Sequence, residues 1–204
     1  MGDVHETSIG GFSLAWKRMI FKRKVNLHQR KEIEILKKLS HVHMIQLAGT
    51  YTHRQHLGIL LYPVALCDLH TFIEDVEDYC TDRADDSQTA RLTALGYFET
   101  LDADLALALP IYTQIGCLVS AISYLHSQKI RHKDLKPSNI LLSPKSLYLS
   151  DFGTATDFSL LSQSATDNER GTPRYYAPEV RSHRKAAKSY LRCTNADRPT
   201  CVGC

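Results

Sequence analysis

Asp134, Lys136 and Asn139 stand close together in "IRHKDLKPSN" (130–139), and Asp151 follows in "SDFG" (150–153). A carboxylate held on a loop behind an apolar helix can accept a proton from a hydroxyl. An ammonium two positions further on can meet negative charge on a group in transfer. An asparagine oxygen, and a second carboxylate at a strand end before a glycine, are hard ligands of the kind magnesium takes. One base, one ammonium and two oxygen ligands suit a magnesium-phosphate centre. For "KDLK" alone, a charged loop held by salt bridges is the better account, so the rest of the chain has to decide between them.

Those side chains need a scaffold, and the composition allows one. The chain has 204 residues, 43% of them hydrophobic, enough to bury a core. A net charge of +3 without a basic stripe excludes a dedicated nucleic-acid binder. No stretch has the apolar length of a membrane span, and residues 1–20 lack the apolar core of a signal peptide. The expectation is an intracellular, cytoplasmic protein with neither nucleic acid nor membrane as partner. Cys67, Cys80 and Cys117 are scattered and read as free thiols. Cys201 and Cys204 have C-x-x-C spacing, and Cys193 precedes them, but no second pair follows. An unstructured end fits better than a zinc site.

Apolar alternation predicts a strand over 11–20, with residues 3–7 as its hairpin partner across "SIGG" (8–11). Helical spacing runs from Val25 to Leu39, with Ile35, Leu36 and Leu39 on one face. "MIQLAGTY" (44–51) and "LGILLYPV" (57–64) read as two more strands. Residues 68–110 read as a helix, an acidic solvated insert and a short second helix. Ile111, Ile115, Leu118, Ile122 and Leu125 recur at helical spacing and predict a helix with a core-facing side. Residues 139–152 form a hairpin around "PKS", and 154–172 a polar loop. The layout is α+β, with two lobes and a cleft between them.

"HKDLKPSN", then "DFG" after a hairpin, then "GTPRYYAPE" (171–179), in that order, resembles the protein-kinase family, and the phrasing is similar to fungal serine/threonine-type members. The resemblance implies a small β-rich lobe over residues 1–64 and the first part of a helical lobe over 65–180, with the insert near 74–110. Residues 181–204 fall outside the pattern as a disordered tail. It implies transfer of the γ-phosphoryl of Mg-ATP to Ser or Thr hydroxyls of protein substrates. Asp134 would be the catalytic base, Lys136 would neutralise the γ-phosphate, and Asn139 and Asp151 would hold Mg2+. Thr172 would line the substrate site, and Glu179 would close the activation segment. Lys17 in "LAWK" would anchor ATP, with Lys22 and Lys24 as rivals in "FKRK". Glu32, which borders the inward face, is preferred to Glu34 as its partner. Val4, Ala15 and Leu141 would sandwich the adenine. Leu61 would guard the back of its pocket, and Tyr62 to Val64 would be the hinge. Leu36, Leu47, His132 and Phe152 would stack between the lobes, making His132 a packed imidazole.

The chain departs from the family in three places. Of the glycine-rich loop only Gly2 and Val4 remain, because "IGGF" (9–12) lies too close to Lys17 and reads as the hairpin turn. Lys133 replaces the usual arginine and loses its bidentate fork. The hydroxyls from Thr154 and Thr156 to Ser159, Ser162, Ser164 and Thr166 single out no phosphorylation site. After Val180 the pattern stops, so the chain reads as a C-terminally truncated domain. Glu179 then lacks the arginine it pairs with, and the Ile111–Leu125 helix has a face open to a partner. A non-catalytic pseudokinase-like interaction module is the alternative. A phosphotransferase of small molecules is disfavoured by "GTPRYYAPE".

Overall fold

The computed structural model describes residues 3–21, 27–100, 114–144, 146–159 and 171–176. Gly10 and Gly11 turn the chain with φ of +58° and +83°, values glycine adopts without steric cost. They join strand β1 (Asp3–Ile9) to β2 (Phe12–Ile20). Strands β3 (Gln46–His53) and β4 (His56–Tyr62) complete an antiparallel sheet in the order β1-β2-β4-β3. Its register pairs Val4 with Lys17, Ala15 with Leu61, Lys17 with Ile59 and Met19 with Leu57. Because side chains alternate along a strand, these residues share one face.

Helix α1 (Leu27–Lys38) covers that face. Ile35, Leu36 and Leu39 are buried from it, and so are the polar Gln29 and Glu32. The expected start at Val25 lies outside the described residues. Beyond α1, Ile45 N donates to Leu149 O at 3.0 Å and Leu149 N to His43 O at 2.9 Å, tying the approach to β3 onto the second half of the chain.

There the chain forms β5 (Cys67–Asp68), α2 (Leu69–Cys80), α3 (Asp86–Ala94) and α4 (Ile115–Ser127). Short strands β6 (Ile130–Arg131), β7 (Ile140–Ser143), β8 (Ser146–Leu149) and β9 (Thr156–Asp157) follow. Strands β5, β7 and β8 form one small sheet, and β6 pairs with β9 in another. The Asp68 carboxylate caps α2, accepting from the amides of His70 and Thr71 at 2.9 and 3.0 Å. Met44, Ile45, Leu125, Ile130, Leu149 and Phe152 are sealed from solvent at the centre of one continuous core. Helix α4 sends Ala121 and Leu125 inward but leaves Ile115 and Val119 exposed, so its apolar residues are not all core. Among the described residues, no helix is long and apolar enough to cross a membrane.

The acidic run from residue 74 is largely helix rather than a solvated insert. Asp75 within it is 1% exposed and takes both ends of the Arg91 guanidinium, at 2.8 and 2.7 Å. This bidentate pair clasps α3 to α2. Replacing Arg91 with Ala would leave a buried carboxylate without its partner. The arginine is partly exposed, so water can reach the gap, and the expected loss is about 2–3 kcal/mol, below that of a fully buried pair. Denaturant titration should show a lower midpoint with an unchanged slope.

Candidate active site

The inner face of the first sheet, α1 and the β7–β8 hairpin enclose a cavity of about 600 Å³. Val4, Ala15, Leu61 and Leu141 supply apolar wall, and Lys17, Glu32, Asn139 and Asp151 line it as well. A cavity of this size with few convergent polar groups suits a nucleotide-sized ligand.

Lys17 is the centre of its polar part. Strand β2 aims its ammonium at Glu32 Oε1, 2.7 Å away on α1, and at Asp151 Oδ1, 3.0 Å away. Burial pulls the Lys17 pKa down, but the two carboxylates outweigh it and raise the value above its usual 10.5. Glu34 lies on the outer side of α1 and meets Lys37 instead, at 3.2 Å. Asp151 holds a left-handed backbone, φ +59°, and so does Lys133, φ +69°. Asp151 lines the cavity and Lys133 directly precedes Asp134, while Arg54, Asp82 and Lys129 adopt positive φ in turns elsewhere.

The second polar group surrounds Asp134, which is 8% exposed. Its Oδ2 takes Lys136 Nζ at 2.9 Å, and its Oδ1 takes the Thr172 amide at 2.6 Å. Lys136 also donates to Thr172 Oγ1 at 2.9 Å. Asn139 Nδ2 donates to the Asp134 carbonyl at 2.8 Å, which leaves the amide oxygen of Asn139 for another partner. Burial works against the charged form of Asp134, but hydrogen bonds from Lys136 and Thr172 prevail and lower its pKa. It is therefore a carboxylate at neutral pH.

His132 joins the two groups from beneath. Its Nε2 lies 2.8 Å from Ser150 O, and the Asp134 amide approaches its Nδ1 at 3.4 Å. One tautomer satisfies both, with the proton on Nε2. Desolvation lowers the His132 pKa, so the ring stays neutral. The imidazole packs on Phe152, with ring centroids 5.1 Å apart, and is a brace rather than a proton carrier. Leu36 is buried, and Leu47 is partly buried against the same core.

The sequence matches the protein kinase domain model over residues 10–190. This chain belongs to the protein kinase family. It is 32% identical to the serine/threonine-protein kinase fused of Drosophila melanogaster over 153 residues, covering 74% of this chain and 15% of that protein. It is 30% identical to CBL-interacting serine/threonine-protein kinase 3 of Arabidopsis thaliana over 174 residues, 82% of this chain and 32% of the relative. Over 74 residues it is 45% identical to the Homo sapiens 3-phosphoinositide-dependent protein kinase 1, 35% of this chain and 13% of that protein. The chain thus spans less than a third of the length of each of these relatives.

Of the residues singled out by the kinase motifs, Val4, Ala15, Lys17, Glu32, Asn139, Leu141 and Asp151 all line the one cavity. Asp134, Lys136 and Thr172 sit together through the contacts above, joined to it by Asn139. Tyr62 and Val64 do not line it. The Tyr62 side chain is half exposed and borders a separate hollow with His41, Pro63 and Tyr148. Strand alternation puts Leu61 on the cavity side and Tyr62 on the other, so a hinge at 62–64 could offer only backbone there. Glu179, Gly2, Lys22, Lys24 and the cysteines of the tail lie outside the described residues.

Sequence reasoning missed Gln29, Met19, Ile45, Ser150 and Gly153 in the cavity wall. It also missed Gly171. A Cβ there would overlap the Lys133 carbonyl oxygen and stand 2.5 Å from Asp134 Oδ1. The glycine before Thr172 was the available signal, because close backbone approach to a functional carboxylate demands it.

Proposed function

We propose that this chain is a serine/threonine protein kinase, which transfers the γ-phosphoryl group of ATP to Ser or Thr hydroxyls of protein substrates. Residues 1–64 and 65–180 would be its two lobes, with the cavity in the cleft between them. The observation that carries the reading is the convergence of Lys17, Glu32 and Asp151 in one ion-paired group, beside the Asp134–Lys136–Thr172 group.

The residues present fit magnesium and a nucleotide. Among the described residues, no cluster of three or more His, Cys, Asp or Glu side chains is placed to hold a metal. Asn139 and Asp151 offer two oxygens on the cavity wall, which suits an ion that takes its remaining ligands from phosphate and water. When bound there, magnesium supplies charge neutralisation of the phosphates. Lys17 is held by Glu32 to contact the phosphates. The apolar walls at Val4, Ala15, Leu61 and Leu141 suit a purine ring.

In the transfer, the substrate hydroxyl oxygen bonds to the γ-phosphorus and the bond from γ-phosphorus to the β–γ bridging oxygen breaks. ADP keeps that electron pair. Asp134 orients the hydroxyl and accepts its proton. Lys136 meets the charge on the transferred group, and Thr172 holds both side chains in place.

The test is an assay with γ-labelled ATP and magnesium on peptides containing Ser, Thr or Tyr as the sole acceptor. Magnesium-dependent label on Ser and Thr, and not on Tyr, is expected. No transfer to any of the three, together with no stabilisation by nucleotide, would favour the non-catalytic module instead. Replacing Gly171 with Ala should reduce the transfer rate about tenfold, because the new methyl group displaces the Thr172 amide from Asp134. Single-turnover kinetics at saturating ATP would read this.

A further inference from the structure

We propose that His41 is an acid-sensitive latch: its neutral ring ties the connection from α1 to β3 onto α4, and protonation of that ring releases it. The inference stands apart from the kinase reading, because it concerns how the fold is held and not what is transferred.

Between Lys38 at the end of α1 and Gln46 at the start of β3, the chain turns over "LSHVHMI" (39–45). Backbone amides that leave a helix need new acceptors, and this turn supplies them locally. The Met44 amide donates to the His41 carbonyl at 3.0 Å. The Ser40 amide donates across to Tyr124 Oη on α4 at 2.8 Å. The His43 amide donates to His41 Nδ1 at 3.2 Å. An imidazole nitrogen accepts only when it carries no proton. The proton of the neutral ring then sits on Nε2, which faces Ser120 Oγ on α4 at 3.3 Å. One tautomer serves both contacts. The same ring stacks on Tyr124, with centroids 4.9 Å apart.

A proton added at Nδ1 removes the acceptor and sets two N–H groups against each other. The surroundings offer the new charge no compensation. On the turn itself the His43 ring lies 5.6 Å away, and a charge there repels one on His41. Helix α4 presents Ser120 and Tyr124, and Tyr62 of β4 and Tyr148 of β8 border the same hollow, so these elements bring hydroxyls and not carboxylates. The last turn of α1 adds two cations, Lys37 and Lys38, paired with Glu34 and Asp157 at 3.2 and 2.7 Å. Among the described residues, no carboxylate is a hydrogen-bond or ion-pair partner of His41. Burial and the His43 ring hold the His41 pKa below its usual 6.5. Once the turn opens, the ring regains that usual value. Closure is therefore complete above 6.5 and is lost as pH falls below it.

The experiment uses the full chain, followed by NMR between about pH 7.5 and 5, the range in which histidines change charge. Wild type is compared with His41→Asn and His41→Phe. Exchange of the His43 amide, corrected for its intrinsic pH dependence, is read against amides of α2 in the same sample. The burial of His132 lowers its pKa as well, so a global unfolding midpoint would mix the two rings and a local readout is needed. In wild type the protection of the His43 amide should fall about fivefold over this range, since one pKa unit is a tenfold preference for the neutral ring. In His41→Asn the side-chain oxygen can accept from the amide two residues on and does not titrate, so protection should hold throughout. His41→Phe keeps a ring for Tyr124 but offers no acceptor, and protection should be low at every pH. The wild-type ring gives a measurement free of any variant. Its titration should fall below 6.5 and share its midpoint with the shift of the His43 amide. Protection that is independent of pH in wild type, an equal acid loss in His41→Asn, a loss in step with α2, or a ring midpoint at or above 6.5 would overturn the proposal.

Discussion

Replacing Asp134 with Asn should lower the rate of phosphoryl transfer by about 10²–10⁴-fold, the usual contribution of a positioned proton acceptor. The substitution keeps the shape and one acceptor oxygen, enough for the Thr172 amide, so the fold should persist, but the NH2 that replaces the second oxygen cannot accept from Lys136. What it removes is the negative charge that pairs with Lys136 at 2.9 Å and that, in the proposed reaction, orients the hydroxyl. Asp134 does not line the nucleotide-sized cavity, so affinity for ATP should stay within about twofold of wild type. Single-turnover rates at saturating ATP, with nucleotide affinity measured separately, check both halves. A loss below tenfold would mean that another group takes the proton.

Replacing Lys17 with Met should remove nucleotide binding and also destabilise the fold by about 3–5 kcal/mol, the cost of leaving a buried charge without its partner. The two lost contacts differ in weight. Glu32 has a side chain only 6% exposed, whereas Asp151 is 42% exposed and water can solvate it. Nearly all of the cost therefore falls on Glu32. Adding Glu32→Gln to Lys17→Met should recover most of the stability and none of the nucleotide binding. Urea unfolding and calorimetric titration with ATP and magnesium separate the two. The sign of the pH dependence follows from the same pair. The Lys17 pKa is raised on folding, so its contribution is complete below 10.5 and is lost as pH rises through the higher folded value. The Lys17→Met chain should lack that alkaline loss.

Where chemistry and apolar spacing were written locally, the sequence was legible. The pattern of residues 11–20 predicted a strand with Lys17 on it, which the structure begins at Phe12, and the glycine pair at 10–11 predicted its turn. The helical face of Ile35, Leu36 and Leu39 was enough to prefer Glu32 to Glu34, because helix geometry leaves little choice. What stayed hidden depends on partners far apart in sequence. Asp75 looks like any member of an acidic run until Arg91 is brought against it. Strand β9 is two residues long, too short for any period to show, yet its Asp157 pairs with Lys38 of α1. The cavity wall includes the polar Gln29 and Ser150, which spacing could not place there. Tyr62 lies beside a lining position and strand alternation turns its side chain away, so the hinge reading of 62–64 concerns backbone, which side-chain patterning does not display.

The most direct test is paramagnetic relaxation from bound manganese with a non-hydrolysable ATP analogue, read at backbone amides of the whole chain. Strong broadening is predicted at residues 17, 139 and 151, weaker broadening at 134, and none at Tyr51 on the outer face of the first sheet or at Arg91 on α3. Uniform weak broadening, or strong broadening centred elsewhere, would contradict a metal-nucleotide site assembled by Lys17, Asn139 and Asp151.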